Sequence, residues 1–375
     1  MKNTLKILLV WLVITLFPMQ TYASDKPADD TIKQLIFFGD SLSDPGNLYT
    51  LMFGALPKSP PYFKGRFSNG PVWTDVVASY FDAKNISSRN YALGGESVLY
   101  HEAVNGKLPF MLEHSLKDYL DFYVYDVFSP HPDLSHTLYV IFIGANDYIW
   151  GSEDPEKDTT NVNAGIKDNL NKLIAAGGKH FIMLNLPDLS SAPASRLGGD
   201  LKTLKQLTML HNTKLAATIE ELLKANPGVT IKIFDYYTLS SDIFLHPEIY
   251  NKKYNLHITN TLDACYTGGY QLLEDKNQEA KIAATLEQLY KTDRIGLLHK
   301  QSAPEKINFA ELAHAIATNP ELSTAYAVGQ NALSGVQPCA DPSSYLFWDY
   351  LHPTAEGHAV TGAMVIDYIE KNFTL

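Results

Sequence analysis

The stretch Leu35–Asn47, LIFFGDSLSDPGN, decides the fold. Four apolar residues, Leu35 to Phe38, run into Gly39-Asp40-Ser41, and the chain breaks again at Asp44-Pro45-Gly46. A short apolar run with no alternation, bounded by turn residues, reads as a strand buried on both faces. Strands of that kind belong to parallel sheets covered by helices on both sides. In such sheets the functional groups gather at the carboxyl ends of the strands. Ser41 stands at that address, but a serine after a strand also serves as a helix cap. The Gly-x-Ser-x-Gly nucleophile elbow of ordinary α/β-hydrolases is not present, because position 43 is Ser43.

Outward from this strand the same alternation recurs. Pro71–Phe81 has apolar residues at helical spacing, Ser87–Ala92 is a weaker strand, and His136–Ile143 is a strong buried one. A helix over Val162–Ala176 ends at Gly177-Gly178, and a strand over His180–Leu186 follows. Leu201–Ala225 reads as a long helix, Val229–Phe234 as the next strand, and Thr354–Asn372 as a closing helix. The expected fold is α/β: a three-layer α/β/α sandwich on a mainly parallel sheet. Between Cys265 and Cys339 the alternation stops. Tyr270–Lys291 and Ile307–Thr318 look helical, and Asp293–Pro304 between them is polar. We read 266–338 as a helical insertion in a single domain, 24–375.

The 375 residues are 45% hydrophobic and 19% charged, enough for one large core. Met1–Lys6 carries two lysines, Ile7–Phe17 is unbroken apolar sequence, and small residues surround Ala23. This is the pattern of a secretory signal peptide, residues 1–23, and the apolar run is shorter than the roughly 20 residues a bilayer span needs. It predicts a secreted, periplasmic or cell-surface protein. In such a compartment the two cysteines, Cys265 and Cys339, are expected to pair, stapling the insertion at its base. Their spacing fits no CxxC metal or redox pattern. The net charge of −11, with no basic stripe, argues against nucleic-acid binding.

Three further stretches carry chemistry. FIGANDYIW, Phe142–Trp150, places Asn146 past the end of the strongest strand, where its amide either makes a turn or donates to an oxyanion. NYALGGES, Asn90–Ser97, ends a strand on Gly94-Gly95, whose backbone N–H groups are open to a ligand. LFWDYLHPTAEGH, Leu346–His358, holds Asp349 and His352 three apart, a spacing that lets one carboxylate orient one imidazole. Among 12 histidines a lone one means little, and each stretch alone has an ordinary structural explanation. Their order along the chain, Ser, Gly, Asn, then Asp-x-x-His, is much more specific.

In that order the chain resembles the GDSL, or SGNH, lipase/esterase family from about Gln34 to His358. FFGDSLSDPGN, NYALGGES, FIGANDY and FWDYLHPT look like its blocks. GRFSNGPVW (Gly65–Trp73) and LNLPDLSSAP (Leu184–Pro193) are similar to stretches of its larger secreted and plant-type members. The resemblance implies Ser41 as nucleophile, His352 as general base and Asp349 as its orienting acid. It implies an oxyanion hole of Ser41 N–H, Gly95 N–H and the Asn146 side chain, with Gly94 the alternative to Gly95. It implies no cofactor and no metal. The overall pattern resembles the secreted lysophospholipase A and glycerophospholipid:cholesterol acyltransferase branch, which implies a lipid acyl ester as substrate and transient contact with a membrane surface. A short-chain or carbohydrate acetyl esterase, or a catalytically dead binding protein, are the other readings. Leu48, Tyr49, Met52 and Phe53 after Ser41, and Tyr148, Ile149 and Trp150 after Asn146, are candidates for an acyl groove or for core. The insertion 266–338 is expected to be a lid or the target of an activating protease, or else a passive decoration.

Overall fold

The computed structural model describes residues 30–100, 111–121, 133–148, 151–267, 276–292 and 308–375. The signal-peptide pattern and the polar centre of the insertion, Asp293–Pro304, lie outside these residues. Thr31–Leu375 forms one compact unit.

Five strands make the main sheet: β1 (Gln34–Gly39), β2 (Ser87–Asn90), β3 (Thr137–Phe142), β4 (His180–Leu184) and β5 (Thr230–Phe234). All neighbours are parallel, in the order β2-β1-β3-β4-β5. The chain therefore steps to one side of β1 for β2 and to the other side for β3. That reversal opens a crevice at the carboxyl ends of the central strands. β1, β3 and β4 are buried along nearly their whole length, which is why they read as unbroken apolar runs. β2 is polar because it is the sheet's edge, alternately exposed and half-buried.

The helices follow the sequence pattern with a few shifts. Trp73–Asp82, Leu201–Ala225 and Ala355–Asn372 form as expected. The helix expected from Val162 begins at Pro155, because Asp154 accepts from Lys157 N–H as a cap and Pro155 suits the first turn. Its other end is the expected one, with Gly177 at φ 114° closing it.

A second, two-stranded parallel sheet joins β6 (Asn260–Ala264) to β7 (Tyr345–Phe347). Cys265 and Cys339 lie at this seam and are disulfide-bonded, 4.9 Å apart at Cα. Closing a loop of this length removes about 4 kcal/mol of unfolded-state entropy in the chain-entropy account. The insertion contributes helices Lys276–Thr292, Phe309–Thr318 and Pro320–Leu333. They share a core of their own with the segment after Ser41: Leu48, Met52 and Leu56 pack with Ile316, Leu322 and Val328. The insertion is thus bonded into the molecule by buried apolar surface, each such side chain contributing about 1.5–3 kcal/mol. Among the described residues no helix is long and apolar enough to cross a membrane.

Candidate active site

β1 delivers Ser41 to the crevice through a turn that tolerates no bulk. A Cβ on Gly39 would lie 2.5 Å from the Phe142 carbonyl of β3 and 2.9 Å from Ser43 Oγ. The turn is held from below. Trp73 Nε1–H donates to Ser43 Oγ at 3.2 Å, and Thr74 Oγ1 donates to the Ser43 carbonyl at 2.8 Å. Asp44 then gathers the chain after the turn: its carboxylate accepts from Gly46, Asn47 and Leu48 N–H. It also accepts from Gly94 N–H at 2.9 Å, tying the β1 loop to the β2 loop. Burial pushes the Asp44 carboxyl up to about 6 even with these four donors on it.

The Asp349–His352 loop meets Ser41 from the far end of the chain. His352 Nδ1 is 2.8 Å from Asp349 Oδ2 and 2.9 Å from Oδ1. A carboxylate has no proton to give, so Nδ1–H is the donor and Nε2 is left to accept. Nε2 lies 2.9 Å from Ser41 Oγ. Asp349 Oδ1 also accepts from the N–H groups of Leu351 and His352, both at 2.8 Å, and Oδ2 accepts from the Tyr62 hydroxyl. Burial favours the neutral acid, but the His352 charge and these hydrogen bonds outweigh it and hold Asp349 below the usual carboxylate range. For His352, burial favours the neutral ring, yet Asp349, Glu321 and Asp40 together raise it above its ordinary value. The Asp40 carboxyl, in turn, is pushed up to about 8 by burial and by Glu321.

The segment Arg66–Asn69 fastens this loop. Ser68 Oγ donates to the Pro353 carbonyl at 2.9 Å, and Asn69 Oδ1 accepts from Ala355 N–H at 2.8 Å. The Phe67 ring lies 5.0 Å from the His352 ring, and a Cβ on Gly94 would strike it at 2.4 Å. The glycine pair therefore divides its work. Gly94 N–H is spent on Asp44, and its missing side chain makes room for Phe67. Gly95, at φ 80°, turns its N–H into the crevice. Asn146 sits past β3 in a short 3-10 turn, with Gly144 at φ 116° leading into it. One N–H of its amide donates to the Glu96 carbonyl at 2.9 Å, which fixes the side chain.

Every residue expected from the sequence to carry chemistry is thus gathered in one place: Ser41, Gly95, Asn146, Asp349 and His352. Three members were not expected. Tyr62 lies 287 residues from the aspartate it touches. Asp44 read only as part of a turn. Glu321 comes from the insertion, and Gly95 N–H donates to its Oε1 at 2.9 Å. Among the described residues no group of three or more His, Cys, Asp or Glu side chains is placed to hold a metal ion.

The expected groove residues divide differently from the sequence reading. Leu48, Met52 and Phe53 are core beneath the insertion, and Tyr49 packs over Gly65. Ile149 and Trp150 lie outside the described residues. Tyr148 does line the cavity that opens from Ser41, which has a volume of about 640 Å³. Its apolar wall also includes Leu189, Leu197, Leu204, Ile243, Phe244 and Leu351. Pro320 and Glu321 bound it beside Ser41 and His352.

The family model for GDSL-like lipase/acylhydrolase matches residues 35–365. The chain belongs to this family. The match takes in the turn at Ser41, the Gly94-Gly95 pair, Asn146 and the Asp349–His352 loop. Phosphatidylcholine-sterol acyltransferase of Aeromonas hydrophila is 29% identical over 94% of this chain and 93% of that protein. The secreted effector protein SseJ of Salmonella typhimurium is 31% identical over 52% of this chain, and the thermolabile hemolysin of Vibrio parahaemolyticus 28% over 58%. Those two matches span a little under half of each relative, 45% and 49%. Among solved structures, a GDSL-like lipase from Bacteroides thetaiotaomicron aligns with 90% of this chain at 14% identity and a TM-score of 0.35. As a GDSL-type chain the protein is an esterase/lipase-type hydrolase.

Proposed function

We propose that the protein is an exported serine hydrolase of lipid acyl esters, a lysophospholipase or phospholipase A that also has the means to transfer the acyl group to an alcohol such as cholesterol. The observation that carries the substrate class is the cavity leading from Ser41. Its volume of about 640 Å³ and its wall of leucine, isoleucine and phenylalanine suit an acyl chain, where an acetyl group needs far less room. Leu197, which lines it, is 53% exposed. An exposed leucine beside an apolar cavity suits contact with a lipid surface. The Aeromonas relative, named for acyl transfer from phosphatidylcholine to a sterol, supports the same class. The N-terminal pattern, with a relative named as a secreted effector, supports export.

In this mechanism His352 Nε2 takes the proton of Ser41 Oγ as the oxygen attacks the ester carbonyl. The carbonyl oxygen becomes an oxyanion and draws on Ser41 N–H, Gly95 N–H and the Asn146 amide. Loss of one such donor typically costs 10²- to 10³-fold. His352 then gives its proton to the departing alcohol, leaving an acyl group on Ser41. Water, or an incoming alcohol, gives a proton to the same nitrogen as it attacks the acyl carbon, and His352 passes that proton to Ser41 Oγ as the acyl–oxygen bond breaks. Asp349 stays ionised throughout and stabilises the imidazolium.

The test sets p-nitrophenyl esters of rising chain length beside lysophosphatidylcholine and phosphatidylcholine, with and without cholesterol. Rates that climb beyond butyrate are expected, and a maximum at acetate would favour the short-chain esterase instead. Ser41→Ala should abolish turnover while the melting temperature holds, and hydrolysis retained in that variant would sink the mechanism.

A further inference from the structure

The site expected to take the oxyanion already holds a carboxyl group, one that burial pushes above its ordinary range. Glu321 lies in the first turn of the Pro320–Leu333 helix of the insertion and is only 3% exposed. Its Oε1 accepts from Gly95 N–H at 2.9 Å and lies 4.0 Å from His352 Nε2. Ser41 and Asn146 are close enough to the same carboxyl to act on it electrostatically. Gly95 N–H is a donor that a tetrahedral oxyanion on Ser41 would need. Each N–H serves one strong acceptor well, so a substrate carbonyl and Glu321 compete for the same position. A carboxylate buried without partners costs several kcal/mol. Here the partner is the Gly95 N–H.

The turn carrying Glu321 is firmly seated. Asn319 caps the helix, its Oδ1 accepting from Glu321 N–H at 3.0 Å and Leu322 N–H at 3.2 Å, which aims the glutamate inward. Leu322 is fully buried, and a Cβ on Gly95 would meet its Cδ2 at 3.1 Å and Asn319 Nδ2 at 3.2 Å. Further along, Gly329 lets the helix close on Lys58, where a Cβ would lie 2.5 Å from the lysine Cβ. Glu321 is not placed to assist the chemistry. It stands where the carbonyl oxygen must go, and His352 Nε2 is already engaged with Ser41.

We propose that Glu321 is a built-in inhibitor, a carboxylate that fills the oxyanion hole and holds the enzyme shut until the Asn319–Leu322 turn lifts away. This rests on the hydrolase reading above and gives the insertion a regulatory part in place of a passive one. A hydrogen bond of the kind Glu321 makes to Gly95 corresponds to about 10-fold in an equilibrium. On a short water-soluble ester such as p-nitrophenyl butyrate, Glu321→Ala and Glu321→Gln are therefore expected to raise kcat/KM by about that factor. Sodium acetate, against sodium chloride at the same ionic strength, should inhibit Glu321→Ala competitively by refilling the vacated hole and leave the parent unaffected. Rates in both variants equal to or below the parent, in proteins that melt like the parent, would overturn the proposal, as would acetate acting alike on parent and variant. Failure of the hydrolase reading looks different. In that case neither parent nor variant turns over any ester, and a fluorophosphonate labels Ser41 in neither.

Discussion

Tyr62→Phe isolates one hydrogen bond at the base of the Asp349–His352–Ser41 chain. The phenol of Tyr62 donates to Asp349 Oδ2, and the aspartate is fully buried. Burial and the Asp349 charge hold the phenol well above its ordinary range, so it remains a donor at any working pH. The substitution removes only this oxygen and keeps the ring against Phe67, 6.0 Å between centroids. A hydrogen bond to a charged group contributes about 1.5–3 kcal/mol. Asp349 keeps His352 Nδ1–H and two backbone N–H donors, so the lower end applies, about 10-fold in kcat/KM. Part of this appears as a pH shift. With one donor fewer, Asp349 is more basic and holds the imidazolium more tightly, which raises the His352 pKa. Since about 1.4 kcal/mol moves a pKa by one unit, the acidic limb of kcat/KM should move to higher pH by up to about one unit. The assay is kcat/KM on p-nitrophenyl butyrate from pH 5 to 9, with a thermal melt alongside. A profile superimposable on the parent's, or an acidic limb moving to lower pH, would refute this account of Tyr62.

Two other outcomes bear on the nucleophile turn. Gly39→Ala puts a methyl group 2.5 Å from a β3 carbonyl, and overpacking of this kind costs about 1–3 kcal/mol, to be read as a lower urea midpoint with reduced activity. Asp40→Asn tests the acid whose folded pKa is raised from 3.8 to about 8. A raised value adds stability that is complete below the unfolded pKa and is lost as pH climbs through the folded one. Parent and variant should therefore differ progressively as pH rises from 5 to 9, with the variant melting higher at pH 9, and a constant gap in thermal melts would contradict the raised value.

That Ser41, Gly95, Asn146, Asp349 and His352 meet was legible because each follows a feature that sequence displays. Ser41, Gly95 and Asn146 each follow the end of a strand, and Asp349 and His352 share one turn before a capped helix. Tyr62 and Glu321 were not legible because long-range contacts fix them, 287 residues from Asp349 and 226 from Gly95, and no period marks them. The Pro320–Leu333 helix itself was missed because Ser323, Thr324, Ala325 and Gly329 are all buried. Small residues enclosed on several sides give no apolar stripe to read. β6, with the sequence NTLDA, is too polar and exposed to look like a strand, and it exists because β7 pairs with it. Leu48 and Met52 show the converse: their apolar character was plain, but the insertion folding over them decided that they are core and not groove.

Asp44 joins two loops that arrive from different strands, one carrying the nucleophile and the other the glycine donor. One carboxylate thus acts as a rivet through both, and the two loops answer to a disturbance as one body. Mutational effects in them should not sum: once Asp44 is replaced, further changes at Asn47 or beside Gly94 find the joint already open and cost less than they would alone. Any attempt to retune this enzyme by altering its loops one at a time meets that coupling first.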